Sequence, residues 1–76
     1  MVLAFILVAT TSCSSYEVRD RLLKVEAVKE AHVVFGQYDV LVKAEVPDSE
    51  VLGKLVFGEI RSMDCVISTA TLTVLP

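Results

Sequence analysis

The sequence predicts an α+β fold: a four-stranded antiparallel sheet in spatial order 4-1-3-2, with two helices on one face. Three observations predict it. Hydrophobic periodicity gives the element order β-α-β-β-α-β, an internal pseudo-repeat of about 35 residues. A short turn, Gly36-Gln37-Tyr38-Asp39, separates the two middle strands and forces them to pair antiparallel. The first segment is apolar throughout and needs a central place in the sheet.

Residues 2 to 9 (Val-Leu-Ala-Phe-Ile-Leu-Val-Ala) form that first strand. Thr10 to Ser15 is a polar turn, and Ser14 with Glu17 spells a capping box, S-x-x-E. Val18, Leu22 and Val25 recur at helical spacing, so an amphipathic helix of about ten residues follows. Residues 28 to 35 are rich in β-branched and aromatic side chains toward their end and read as the second strand. Residues 40 to 46 alternate, with Val40, Val42, Ala44 and Val46 on one face and Leu41, Lys43 and Glu45 on the other. Pro47 stops this strand, and Asp48 or Ser49 caps a second helix. Its stripe is Val51, Leu52, Leu55, Val56, Glu59 and Ile60, and it ends near Ser62. Gly53 and Gly58 lie inside it, which close helix–sheet packing would explain. Residues 66 to 75 form the last strand. Right-handed crossovers around the middle hairpin place both helices on one side, as in the ferredoxin-like fold.

At 76 residues the chain is one domain, and it carries 7 Lys+Arg against 10 Asp+Glu. A chain this short buries roughly 60% of its unfolded surface, so self-association is an early expectation. With 54% apolar and 22% charged residues it is no disordered tail. The net charge of -3 and the lack of a Lys/Arg cluster argue against direct nucleic-acid binding. Cys13, Cys65 and His32 are too few for a structural zinc site, so no metal or cofactor is expected. No Lys or Arg precedes the apolar start, as a secretory leader requires, and the run is far below the ~20 residues that span a bilayer. The expectation is a cytoplasmic protein, off the membrane, with two reduced cysteines. Cys13 follows strand one and Cys65 precedes strand four, so a disulfide is open to them if their Cα atoms come within ~7 Å.

Two helices cover one sheet face only. On the other stand Leu3 or its neighbours, Phe5, Leu7, His32, Val34, Leu41, Lys43, Thr69 and Thr71. That mixture is too apolar for a wet surface and too polar for a core. A second copy packed sheet against sheet about a two-fold axis solves the problem, and Phe5, Leu7, His32, Val34 and Leu41 are the expected dimer face.

The segment Ala31-His-Val-Val-Phe-Gly-Gln-Tyr-Asp-Val-Leu-Val-Lys-Ala-Glu-Val46, with its Gly-x-Tyr-Asp turn, resembles the ligand-binding (RAM) domain of the Lrp/AsnC transcription regulators. Ser68-Thr-Ala-Thr-Leu-Thr73 resembles that family's Thr-x-Thr strand. The resemblance runs the whole chain. The family often has a Pro-Gly turn where this chain has Met63-Asp64-Cys65. The resemblance implies dimeric α/β barrels that assemble into higher rings and bind amino acids between subunits. Family members usually carry an N-terminal helix-turn-helix domain, so this chain resembles a stand-alone version of the module, and a full-length regulator of the family is a further expected partner.

The resemblance places Asp39 at the ligand cleft and suggests the region of Thr69 and Thr71, and Gly36 and Tyr38 are further ligand candidates. Each has a plainer role beside that one. Gly36 suits a turn through positive φ, or lets a ligand approach the backbone. Asp39 caps the hairpin, or meets an ammonium group. Tyr38 is an interface aromatic or lines the ligand. Thr69 and Thr71 are β-formers, or offer two hydroxyls to one amino acid. His32 is a packed surface residue before it is a catalyst, and Lys43 with Glu45 is a dimer-face or solvated pair.

The leading expectation is therefore a non-enzymatic amino-acid sensor that self-assembles and acts on transcription through a partner. The alternative is a small dimeric α/β-barrel enzyme, of the cofactor-free monooxygenase or isomerase type, for which His32 is the sole acid–base candidate near neutral pH. An ACT-like module lacks the Gly-x-Tyr-Asp match, and a metal chaperone of this fold lacks its Cys-x-x-Cys loop.

Overall fold

The structure is a computed structural model and describes residues 1–11 and 14–75. Strand β1 (Val2–Thr10), helix α1 (Ser15–Leu22), strands β2 (Val28–Val33) and β3 (Val40–Val46), helix α2 (Ser49–Lys54) and strand β4 (Val66–Thr73) follow in the expected order. The sheet runs β2-β3-β1-β4 with all pairings antiparallel, which is the expected order seen from its other edge. The apolar first segment does sit inside the sheet.

The period-two pattern decides what each strand buries. Ala4, Ile6 and Val8 of β1 and Val40, Val42, Ala44 and Val46 of β3 lie fully buried under the helices. They meet Val18 and Leu22 of α1 and Leu52, Leu55, Val56 and Ile60 from the second helix. Each large side chain so buried is worth about 1.5–3 kcal/mol. No polar side chain is buried among the described residues, so this core is apolar throughout.

Ser14 caps α1, but not as a full box. Its Oγ accepts from the Tyr16 amide at 3.2 Å, while its carbonyl takes the amides of Glu17 and Val18. The helix is eight residues long and closes at Leu22, so Val25 packs on the core from the following turn. Asp48, not Ser49, caps α2, its Oδ1 accepting from the Val51 amide at 2.9 Å.

The second helix departs from the expectation. Beyond Lys54 it widens into a π-helical turn, Leu55–Ile60, closed by the Arg61 amide donating to the Val56 carbonyl. The wider turn returns Ile60, five residues after Leu55, to the core and leaves Glu59 in water. Glu59 therefore leaves the apolar stripe. Gly53 and Gly58 do not mark close helix–sheet packing either: a Cβ built on either one meets no atom within 4 Å. Strands β2 and β4 each stop two residues short of the expected ends, at Val33 and Thr73.

Candidate functional site

Antiparallel partners share a sheet face, so register settles where each candidate points. Phe5 pairs with Lys43 and Leu72, and Leu7 with Leu41 and Ala70. His32 pairs with Leu41, and Glu30 with Lys43. These residues form the uncovered face. Phe5, Leu7, Val34 and Leu41 are half-buried there, and Leu72 is 57% exposed. The face divides into an apolar half on β1 and β4 and a charged margin on β2 and β3.

At that margin Glu30 lies between His32 and Lys43. Its Oε1 is 3.2 Å from His32 Nε2 and its Oε2 is 3.4 Å from Lys43 Nζ. The His32 hydrogen bond, with Lys43 beside it, holds the Glu30 carboxyl below the usual carboxylate range. Lys43 thus pairs across the strands with Glu30 rather than along its own strand with Glu45. His32 is tied to an exposed glutamate near the sheet edge, which is not the placement of a general base in a closed barrel.

Thr69 and Thr71 are not on this face, which corrects the expectation. Thr69 pairs with Val8 and Thr71 with Ile6, so both threonines point to the helix side. Alternation puts Thr69 and Thr71 on one face of β4, and register on β1 places that face under the helices. On the helix side the threonines line a cleft of about 380 Å³ with Ser49, Leu52, Gly53, Val56, Phe57 and Arg61. Leu52 and Val56 form an apolar wall. The Arg61 guanidinium carbon stands 5.1 Å from the centre of the Phe57 ring, within cation–π range. The cleft joins a cation, three hydroxyls and an apolar wall, which is what a small carboxylate with an apolar tail needs. Sequence reading passed over Phe57 and Arg61. Their four-residue spacing, which puts both on one helix face, was the available signal.

Gly36, Tyr38 and Asp39 lie on the β2–β3 hairpin and do not line that cleft. The Val34 amide donates to the Asp39 carbonyl at 2.9 Å and closes the turn. Gly36 has φ 147°, a conformation that glycine adopts and L side chains rarely do. The Asp39 amide donates to the Val8 carbonyl, and Asp39 Oδ2 accepts from the Thr10 amide at 2.8 Å. Its side chain therefore ties the hairpin to the end of β1, a structural use beside any ligand role. Tyr38 is half-buried. Within one chain, then, the five candidate ligand residues form two groups: a hairpin group and a cleft group. The disulfide considered for Cys13 and Cys65 involves Cys13, which lies outside the described residues. Among those residues no cluster of three or more His, Cys, Asp or Glu could hold a metal, and no helix is long and apolar enough to cross a membrane.

The comparisons agree with this architecture. The uncharacterized HTH-type transcriptional regulator PF0250 of Pyrococcus furiosus is 34% identical over 56 residues, covering 74% of this chain and 37% of its own. This chain spans less than half the length of the curated relatives it matches, 48% in two further Pyrococcus regulators. The crystal structure of FFRP-DM1 superposes with a TM-score of 0.93 at 39% identity, covering 99% of this chain and all of that one. The regulator NMB0573 of Neisseria meningitidis, solved with L-Met, has a TM-score of 0.83 at 22% identity, covering 99% of this chain and 50% of its own; that likeness is one of fold. The family model described as "Lrp/AsnC ligand binding domain" matches residues 3–76. The chain belongs to the Lrp/AsnC ligand-binding domain family.

Proposed function

We propose that this chain is a non-enzymatic regulatory module of the cytoplasm. It binds an amino acid at an interface between its own copies and passes that signal to transcription through a partner regulator. The cleft between α2 and β4 carries the reading. Arg61 would take the α-carboxylate in a charge-assisted bond, Thr69 and Thr71 would offer hydroxyls, and Leu52 and Val56 would receive an apolar side chain. That chemistry favours a neutral, apolar amino acid. The neisserial regulator's complex with L-Met is a precedent on the same fold.

The ammonium group of such a ligand wants a carboxylate or carbonyl, and the cleft residues supply no carboxylate. The hairpin carries one in Asp39, whose Oδ1 is left for a second donor. Cleft and hairpin would meet when the hairpin comes from another copy. The ligand would then favour the assembled state, because it binds that state better than the separate subunits. The uncovered sheet face supports the first step of assembly, a two-fold dimer through Phe5, Leu7 and Leu41 with His32 and Val34 around them.

Isothermal titration against the twenty amino acids tests this. Heat is expected from one or a few apolar amino acids, with affinity falling about ten- to hundredfold in Arg61→Gln as the charged hydrogen bond is lost. No heat from any amino acid would overturn the reading.

A further inference from the structure

The charged margin of the uncovered face has an order that two copies of the chain can use. His32 and Glu30 stand two residues apart on β2, Glu30 pairs with Lys43 on β3, and Glu45 follows Lys43 on the same face of β3. Leu3 is the partner of Glu45 on β1, so this carboxylate belongs to the uncovered face. The row therefore reads His32, Glu30, Lys43, Glu45. With His32 protonated, its charges alternate from end to end.

The middle of the row is matched within one chain and the far end is not. Glu30 has His32 at 3.2 Å and Lys43 at 3.4 Å. Glu45 has no ion-pair partner among the described residues. Met1, Glu26 and Lys29 border it at the rim of the sheet, where the Lys29 ammonium donates to the Glu26 carbonyl at 3.3 Å. Asp39, just before β3, is held by the Thr10 amide. Glu17, Arg19, Asp20 and Arg21 of α1 and Glu50 and Lys54 of α2 belong to the helix layer behind the sheet. A second copy that covers the open face would thus cover a bare carboxylate, which is costly without a counter-charge.

A two-fold axis that crosses the strands at the Glu30–Lys43 pair, at right angles to the row, lays the row on its own reverse. Glu30 then faces the partner's Lys43, and His32 faces the partner's Glu45. The same axis sets the apolar half, with Phe5, Leu7 and Leu72, on its counterpart. An axis along the strands would instead lay apolar residues on charged ones. We propose that His32 and the partner's Glu45 form a proton-controlled clasp, made twice per dimer, that tightens the sheet-face dimer in mild acid. The clasp rests on the two-fold dimer of the reading above and is independent of any amino acid. Histidine is the side chain whose charge changes between about pH 5 and 8. Each protonation supplies the missing counter-charge, so the dimer holds these protons more tightly than separate chains do. Its affinity therefore rises as pH falls.

Sedimentation equilibrium over a dilution series, without amino acids, tests this at about pH 8 and about pH 5.5, both above the range in which carboxylates ordinarily take up protons. Wild-type dimer affinity is expected to rise about three- to tenfold on going to the lower pH, and the gain to shrink at high salt. His32→Gln is expected to hold the weaker affinity at both pH values, and His32→Lys the tighter one. Glu45→Gln is expected to lose the acid gain. Neither side chain belongs to the core, so these variants keep the fold. A dimer with one affinity at both pH values, or a tighter one at the higher pH, overturns the clasp and leaves the dimer standing. So does an acid gain that survives in His32→Gln or Glu45→Gln. A wild-type chain that is monomeric at both pH values overturns dimer and clasp together. Because no ligand is present, these outcomes are separate from a silent titration.

Discussion

The two halves of the pseudo-repeat are built alike and finish differently. In the first, α1 starts at Ser14, buries Val18 and Leu22, and lies against β2 and β3. In the second, α2 starts at Asp48, packs on β3, and then widens into a π-helical turn. The outer strand of the first half is covered: Val28 and Ala31 of β2 are buried. The outer strand of the second half is not, since Thr69 is half-buried and Thr71 and Thr73 are exposed. Leu52, Leu55, Val56 and Ile60 still reach the core, so the second helix holds the fold. Its other flank, with Gly53, Phe57 and Arg61, stands off from β4 and leaves the cleft. The first half is spent on stability, and the second combines stability with a place to bind.

That contrast can be broken by substitution. Leu22→Ala, in the fully buried stripe of α1, is expected to cost about 2–5 kcal/mol. Phe57→Ala, on the cleft, is expected to move stability by no more than about 0.5 kcal/mol. Urea denaturation of the two proteins checks this, and equal losses would refute the division of labour. The cap is the next test. Asp48→Ala should cost about 1 kcal/mol by orphaning the Val51 amide, and Asp48→Asn should recover most of it.

The smallest effect belongs to the margin of the uncovered face. Glu30 has its carboxyl held below the usual range by His32 and Lys43. A depressed carboxylate contributes stability that is present above its ordinary, unfolded pKa. That contribution is lost as pH falls through the lower folded value. Glu30→Gln should therefore remove a small, salt-sensitive part of the acid-side loss of stability. Denaturation curves collected between neutral and strongly acidic pH would show it; an identical pH profile in the variant would mean the pair contributes nothing.

The strands were readable because their residues repeat with period two. Val40 to Val46 alternates in the sequence, and the same four residues are the buried ones in the structure. The continuous apolar run at Val2 to Ala9 required an interior strand, and β1 has a neighbour on each side. The cap of the first helix was legible as Ser14, and that of the second was narrowed to Asp48 or Ser49. The π-helical turn was not, because apolar residues at 55, 56 and 60 suit an ordinary helical stripe as well as a wider one.

What the sequence by itself determined is the order of elements, the two sets of residues on each strand and the sheet arrangement they require. Local periodicity and turn chemistry carry all of that. Which set of β4 meets the helices was decided by tertiary structure alone. A strand's alternation names two faces without saying which is inward, and only its register on β1, with Thr71 opposite Ile6, makes the choice. The same holds for Asp39, whose carboxylate acquires its partner through a contact 29 residues away at the Thr10 amide. Pairing across the sheet puts the threonines beside Arg61 and the hairpin away from them, and that separation gives the interface between copies its part in the proposed function.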